Sequence, residues 1–341
     1  MARRLKVVQW TTGKTGTAAV RAIVRHPGLE LVGCYAHSPD KVGRDVGELC
    51  GIQPIGVRAT DDVEALVSLG PDCVTYFPYR PDFDHLIRIL ESGTNVVTTM
   101  FMLAGDGYGQ EASMRIRDAI DRGGSSLYAG GIYPGHVPMV ALAISAMCSR
   151  IDRLSILESV DISGYANEKM FRAQGFDLEP GDPRAAELVE ASCGSFKDQV
   201  AVLGRALGAA LDGIRFEVEV ATADTALNAG FMVVEAGHIA GFKGVVAGVV
   251  QGRSVVECRF VWTLGDKGMT PSWPLTHGYV IEIEGDPSIG CRLEPLDDRY
   301  DAATATAMPL VNAVEAVCAA PAGVVNQMDL PFVRGVHMVQ I

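Results

Sequence analysis

Lys6-Val7-Val8-Gln9-Trp10, running into Thr11-Thr12-Gly13-Lys14-Thr15-Gly16-Thr17-Ala18-Ala19, is the stretch whose reading decides the fold. Its first five residues form a short apolar run with strand character. From about Thr15 to Arg25 the pattern is helical. A glycine-rich turn between a first strand and a first helix is the setting of a dinucleotide-binding fingerprint. That motif needs a tight turn, a glycine that lets backbone approach the pyrophosphate, and a glycine that lets helix pack on strand. Gly13 and Gly16 take the second and third places, and Thr11 stands where the first glycine belongs. The helix N-terminus then offers N–H groups and positive dipole to phosphate. Gly13-Lys14-Thr15 resembles the end of a P-loop, but no glycine stands at the required distance before it, which excludes that reading.

Outward from this turn, strand and helix signals alternate. Strands are expected at Leu29–Tyr35, Cys73–Phe77, Asn95–Thr99 and Ser126–Ala129. Phe83, Leu86, Ile87 and Leu90 mark one helix between them, and Ala112, Ile116, Ala119 and Ile120 another. This is the rhythm of βαβ units in a doubly wound parallel sheet. After about residue 150 the period becomes two. Phe216, Val218 and Val220 alternate with glutamates, as do Val256 to Trp262 and Tyr279 to Ile283 with charged residues. Those segments predict a largely antiparallel sheet with one wet face, two of its strands joined at Gln251-Gly252-Arg253. The fold class is therefore α/β, a Rossmann-type sheet plus an α+β domain. The expected division is 1–150 for the nucleotide domain and 151–301 for a substrate and dimerisation domain. A last helix, about Ala302 to Ala319, opens a segment 302–341 that returns to the first.

The chain has 341 residues, 29 basic and 41 acidic, so its net charge is 29 − 41 = −12. That acidity argues against nucleic acid or an anionic membrane as partner. Eight cysteines form no CxxC pair and no Cys/His spacing for a metal, and they read as thiols of a reducing compartment. The uninterrupted apolar run Val137 to Cys148 is too short to span a bilayer. The expectation is a soluble cytoplasmic protein without a metal.

The end of the second strand should choose the cofactor. An acidic residue there would pair with the ribose hydroxyls of NAD. The sequence instead has Ala36-His37-Ser38-Pro39-Asp40-Lys41, with Arg44 behind. His37, Ser38 and Lys41 favour NADP over NAD, the alternative being a solvated basic loop face. The expected cofactor set is Thr11, Thr12, Gly13, Lys14, Thr15 and Gly16, then His37, Ser38 and Lys41, then Phe77, Pro78 and Thr99 at later strand ends. Hydride transfer belongs to the cofactor, so the chain must position a carbon and manage one proton. Candidates for that proton are Asp106, Tyr133 and His136. The imidazole of His136 would be kept neutral by the helix it starts. Tyr79, Met102, Tyr165, Phe171, His238 and His277 are candidates for the substrate pocket, although an aromatic pair such as Tyr165 and Phe171 also suits a core.

Longer segments carry a resemblance. VVQWTTGKTGTAAVRAIVRHPGLELVGCYAHSPDKVGRDVGELCG from Val7, SGTNVVTTM from Ser92, AGGIYPGHVPMVALAISAMCSRIDRLSILESVDISGY from Ala129 and NAVEAVCAAPAGVVNQMDLP from Asn312 are similar to the 2,4-diaminopentanoate dehydrogenase-like proteins. These are relatives of dihydrodipicolinate reductase and include native amine dehydrogenases. The resemblance implies a Rossmann domain with a dihydrodipicolinate-reductase-like second domain, usually as a homodimer. It also implies NAD(P)-dependent interconversion of a small carbonyl compound and its amine. Such amine dehydrogenases carry an acid just after the fifth strand, whereas Thr98 to Gly105 holds none and Asp106 is the first. The adjacent histidine pair of true dihydrodipicolinate reductases is missing, as is a Glu-Lys-Pro after the fifth strand. The alternative reading is a dinucleotide-holding protein without turnover, a redox sensor or partner module.

Overall fold

The computed structural model describes residues 3–100, 109–297 and 299–339. The chain divides into two compact units, Met1–His136 with Tyr300–Ile341, and Val137–Arg299.

The first unit opens with β1 (Leu5–Trp10), α1 (Lys14–Arg25), β2 (Leu29–Tyr35), α2 (Val46–Leu49), β3 (Ala59–Thr60) and α3 (Val63–Ser68). It continues with β4 (Cys73–Tyr76), α4 (Phe83–Glu91), β5 (Asn95–Thr98), α5 (Gln110–Gly123) and β6 (Ser126–Ala129). The second unit holds α6 (Val137–Ser145), β7 (Arg150–Asp161), α7 (Glu168–Ala173), α8 (Arg184–Ser192) and α9 (Gly194–Ala206). Then follow β8 (Gly213–Ala223), β9 (Leu227–Asn228), β10 (Val233–Val234), β11 (Ile239–Val250), β12 (Arg253–Thr263), β13 (Met269–Thr270), β14 (Gly278–Asp286) and β15 (Ile289–Leu293). The chain re-enters the first unit with α10 (Ala302–Val311), α11 (Val314–Ala319) and β16 (Gly323–Val325).

Among the described residues the first unit's sheet has the order β16-β6-β5-β4-β1-β2-β3, with every pairing parallel. The order reverses beside β1, which is the switch point where doubly wound sheets bind ligands. Alternation along β1 feeds two cores. Val7 joins Ala19, Val20 and Ile23 of α1 and Leu310, Val314 and Val317 of the C-terminal helices. Val8 and Trp10 join Val74, Tyr76, Leu86, Ile89 and Ile120 on the other face. Helices on both faces explain why the strands are apolar throughout. The C-terminal helix expected as one piece is divided after Val311. Pro309 is accommodated inside α10, and Asn312 caps that helix before α11 begins.

The second unit's seven-stranded sheet runs β13-β8-β11-β12-β7-β14-β15. Its pairings are antiparallel except β12 with β7. The expected turn at Gln251 and Gly252 joins β11 to β12, both residues having positive φ (49° and 77°). The apolar face of this sheet carries Ile156, Cys258, Phe260, Val246 and Ile281 in register. Phe196 of α9 packs on it, 5.9 Å from the Phe260 ring and 5.7 Å from Trp262.

Gly244 of β11 lies opposite Phe260, and a Cβ there would stand 2.3 Å from the phenyl ring. Gly244→Ala should destabilise the protein by about 1–3 kcal/mol through overpacking. Urea denaturation checks this, and an unchanged midpoint would show that the ring moves away at no cost.

Candidate functional site

The turn after β1 is built around a residue out of its usual conformation. Thr11 has φ +72°, the left-handed region that glycine enters without penalty. Local bonds hold it there. Its N–H donates to the Tyr35 carbonyl at 3.0 Å, and its hydroxyl donates to the Phe77 carbonyl at 3.2 Å. Gln9, fully buried in β1, donates through Nε2 to the carbonyls of Trp10 and Thr11, each at 3.0 Å. Its Oε1 accepts the Thr75 hydroxyl at 2.7 Å. A threonine thus does the work of the missing first glycine because β2, β4 and Gln9 fix its carbonyl, hydroxyl and N–H.

The two glycines serve different ends. At Gly16 a Cβ would stand 2.2 Å from the Thr11 carbonyl oxygen, so this glycine lets α1 pack against the turn. At Gly13 a Cβ would meet nothing within 4 Å, and φ is −72°, open to any residue. Nothing in the protein itself requires glycine at residue 13, so the space in front of it is where an approaching group would need the room. Asp62, Asp82 and Asp301 cap α3, α4 and α10 with their side chains. By contrast α1 has neither a side-chain cap nor an acid in its first turn. Its leading N–H groups therefore face outward for an anion.

Lys41 reaches back to this turn. Its Nζ donates to the Thr12 carbonyl at 3.2 Å and bonds the Thr12 hydroxyl at 3.1 Å. The Ser38 carbonyl receives the Lys41 N–H at 2.9 Å, a turn that aims the ammonium at Thr12. Thr12 is buried, Gly13 and Lys14 are exposed and Thr15 is half-buried. His37 is exposed and Ser38 half-buried. Phe77 is buried with its carbonyl on Thr11, while Pro78 and Thr99 are half-buried at the ends of β4 and β5 and Tyr79 is exposed. The structure thus brings the Thr11–Gly16 turn, Lys41 and Phe77 together by direct bonds.

Asp106 and Met102 lie outside the described residues. Tyr133 and His136 follow β6 and are half-buried. The His136 N–H donates to the Gly131 carbonyl at 2.8 Å, and its ring stands 6.4 Å from Phe332. Its pKa is lowered by burial, so the neutral imidazole expected from a helix dipole has desolvation as its cause.

In the second unit two of the residues expected at the substrate pocket have protein partners of their own. Phe171 has no exposed surface and packs 5.2 Å from both Phe176 and Phe231, which makes it a core residue. His238 is tied into a loop. Its Nδ1 lies 3.0 Å from the Asp177 carbonyl and 3.3 Å from the Asp177 carboxylate, which also holds Arg172 and the Glu235 N–H. Tyr165 is exposed, and His277 is exposed with Nε2 3.6 Å from Asp266.

Glu158, on β7, stands out for its surroundings. Its Oε2 accepts the Trp262 indole N–H at 2.7 Å and its Oε1 accepts the Tyr279 hydroxyl at 3.0 Å. Burial pushes the carboxyl up to about 7, against the pull of those two donors. A spacing of three along one strand puts Glu158 and Asp161 on opposite faces. The signal that could have drawn attention to it is an acid in phase with Leu154 and Ile156 on the apolar side of a strand.

Comparison with known proteins places these features in a family. Residues 137–340 match the 2,4-diaminopentanoate dehydrogenase C-terminal domain, and residues 7–99 the dihydrodipicolinate reductase N-terminus. An amine dehydrogenase of Streptomyces virginiae is 31% identical, with 96% of each chain covered. The chain belongs to the 2,4-diaminopentanoate dehydrogenase family. It is accordingly an NAD(P)-dependent oxidoreductase. The fold agrees. An amine dehydrogenase from Mycobacterium smegmatis superposes with a TM-score of 0.78 over 97% of each chain at 22% identity. The WlbA dehydrogenase from Bordetella pertussis, solved with NADH and UDP-GlcNAcA, gives 0.53 over 94% of this chain and 89% of its own at 13% identity. The second unit is an α+β unit with a largely antiparallel sheet, and it lies within the match to the 2,4-diaminopentanoate dehydrogenase C-terminal domain.

Two outcomes follow from this geometry. Gly16→Ala should lower the melting temperature, whereas Gly13→Ala should leave it unchanged; equal losses would refute the division of roles. The raised carboxyl of Glu158 keeps its proton in the folded chain up to about pH 7 and loses it near 4.5 when unfolded, so its contribution to stability falls as pH rises through that window. The melting temperature of Glu158→Gln relative to the parent should therefore increase between pH 5 and pH 8, and a constant difference would contradict the shifted carboxyl.

Proposed function

We propose that the protein interconverts a small carbonyl compound and its amine, with NADP(H) as the preferred dinucleotide. The observation that carries this reading is the open face of Gly13 at an uncapped, acid-free helix N-terminus, with the Lys41 ammonium beside it on Thr12. The residues fit the dinucleotide. The turn from Thr11 to Gly16 and the first N–H groups of α1 would hold the pyrophosphate, and the cation on Thr12 would hold a ribose 2′-phosphate. His37 and Ser38 flank the same ribose, and Phe77, Pro78 and Thr99 stand along the following strand ends. When bound, the nicotinamide supplies or takes the hydride. The chain's own part is to orient the reacting carbon and to move one proton.

For that proton the candidates are Asp106, Tyr133 and His136. The burial that keeps His136 neutral also makes it able to accept a proton at neutral pH. Tyr79, Met102, Tyr165, Phe171, His238 and His277 are the candidates for substrate contact. The relation to the Streptomyces virginiae amine dehydrogenase supports amine chemistry. We also take the protein as a cytoplasmic homodimer. Its eight cysteines, read as thiols, suit a reducing compartment.

Lys41→Ala should weaken NADPH binding about tenfold or more while changing NADH binding little. Fluorescence titration checks this, and equal losses for the two would move the preference to NAD(H). Oxidation of NADPH by a panel of aldehydes and ketones should require ammonia. Turnover without ammonia would assign carbonyl reduction instead, and binding without turnover would leave a cofactor-holding module.

A further inference from the structure

Away from the nucleotide turn, the first unit brings two thiols together. Cys73 is the first residue of β4, and Cys318 lies on α11, in the segment that returns after the second unit. Both belong to the core that the C-terminal helices form against the sheet. Cys73 has no exposed surface there, and Cys318 is half-buried at the margin. The Cys318 thiol donates to the Asp72 carbonyl at 3.6 Å, one residue before Cys73. The two thiols themselves are in hydrogen-bond contact. Because Cys73 opens its strand, the pair sits at the amino end of the parallel sheet. The Thr11–Gly16 turn leaves from the carboxyl end of β1.

The surroundings treat the two sulfurs differently. Asn95, in register with Cys73 on β5, donates its amide to the Asp72 carbonyl at 3.0 Å and also reaches the Cys318 sulfur. The Asp72 carboxylate is engaged by the Arg3 guanidinium and by the Lys6 N–H at 2.7 Å. Cys318 is held below the usual thiol range, first by the hydrogen bond from Cys73 and then by Asn95 and Arg3, against burial and the Asp72 charge. Cys73 is pushed up by its bond to Cys318 and by burial. A thiolate is the nucleophile in thiol chemistry, so Cys318 reacts first, and it is also the one with accessible surface. Cys34 and Cys50 also neighbour each other, but both are buried and burial raises both thiols.

We propose that Cys318 and Cys73 are a peroxide-sensitive thiol pair that closes to a disulfide and fastens the returning C-terminal segment to β4. The Cys318 thiolate attacks one oxygen of a hydroperoxide. The S–O bond forms, the O–O bond breaks, and the leaving oxygen takes a proton to become water or an alcohol. Cys318 is thereby oxidised by two electrons to a sulfenic acid, and the peroxide is reduced. The Cys73 sulfur then attacks the Cys318 sulfur, the S–S bond forms, and the S–O bond breaks. The hydroxyl leaves as water with the Cys73 proton. A dithiol reductant returns both thiols by exchange. The second unit, Val137–Arg299, lies between the two cysteines in the chain, so the bond encloses it in one loop. Such closure restricts the unfolded chain and stabilises the folded one. The pair acts at the opposite end of the sheet from the dinucleotide turn and does not depend on the carbonyl/amine reading.

The test treats the full chain with hydrogen peroxide and then alkylates the remaining thiols under denaturing conditions. Mass spectrometry of the peptides should show Cys73 joined to Cys318, with two of the eight thiols lost. The melting temperature of the oxidised protein should rise by about 5 °C or more. Dithiothreitol should return it to the starting value, and NADPH affinity should be the same before and after oxidation. Cys318→Ser should abolish the link and the thermal shift together and leave the NADPH affinity of the untreated protein unchanged. Cys291→Ser, at another half-buried cysteine, should retain both the link and the shift. The link is read in the parent protein, so the test stands even where a variant does not fold. Eight intact thiols after treatment, oxidation of Cys318 that stops at a sulfinic acid, a disulfide between other cysteines, or a thermal shift that survives Cys318→Ser overturns the proposal.

Discussion

The buried Gln9 side chain is the interaction on which the first unit's chemistry depends. It closes three bonds at once, to the carbonyls of Trp10 and Thr11 and to the Thr75 hydroxyl. Without it the Thr11 carbonyl would lose its side-chain donor next to a backbone that is already strained, while the Trp10 carbonyl would keep the Phe77 N–H and the Thr75 hydroxyl the Val8 carbonyl; a buried polar group left without a partner costs about 1–3 kcal/mol. With it, Thr11 can stay left-handed, α1 starts where Gly16 allows, and Gly13 is left facing open space. The turn after β1 is thus specified from beneath, by a polar residue in the middle of a strand.

Much of this was legible in the sequence. The parallel unit was readable because each strand is short, apolar on both faces and followed by a helix with a clear stripe. Strand ends fell within a residue of expectation at Cys73–Tyr76 and Asn95–Thr98. The antiparallel unit was readable from Glu217, Glu219, Glu282 and Glu284 on one phase and apolar residues on the other. Less visible was whatever depends on long-range partners. Nothing local separates Phe171 in an aromatic core from Phe171 lining a pocket, because Phe176 and Phe231 reach it through the tertiary fold. His238 is likewise explained by Asp177, whose own φ of +63° sets the loop around it.

Two acids stand out in the chain. After the fifth strand the sequence holds no acid before Asp106, while Glu158 occupies an apolar strand face where an acid is costly. A chain with 41 acidic residues has many that are solvated or paired, so the informative one is the carboxyl withdrawn between an indole and a phenol. Its neighbours, Trp262 and Tyr279, come from strands on either side of β7 and are brought to it by sheet register alone. That register is why the site was out of reach of sequence spacing.

The central claim is that the Thr11–Gly16 turn, framed by Gln9 and flanked by Lys41, is the seat of the dinucleotide. A crystal structure of the protein with NADPH tests it most directly. The account predicts the pyrophosphate against the face of Gly13 and the first N–H groups of α1, with the 2′-phosphate within hydrogen-bond distance of Lys41 Nζ. A dinucleotide bound elsewhere, or one seated with its 2′-phosphate away from Lys41 and in open solvent, would contradict it.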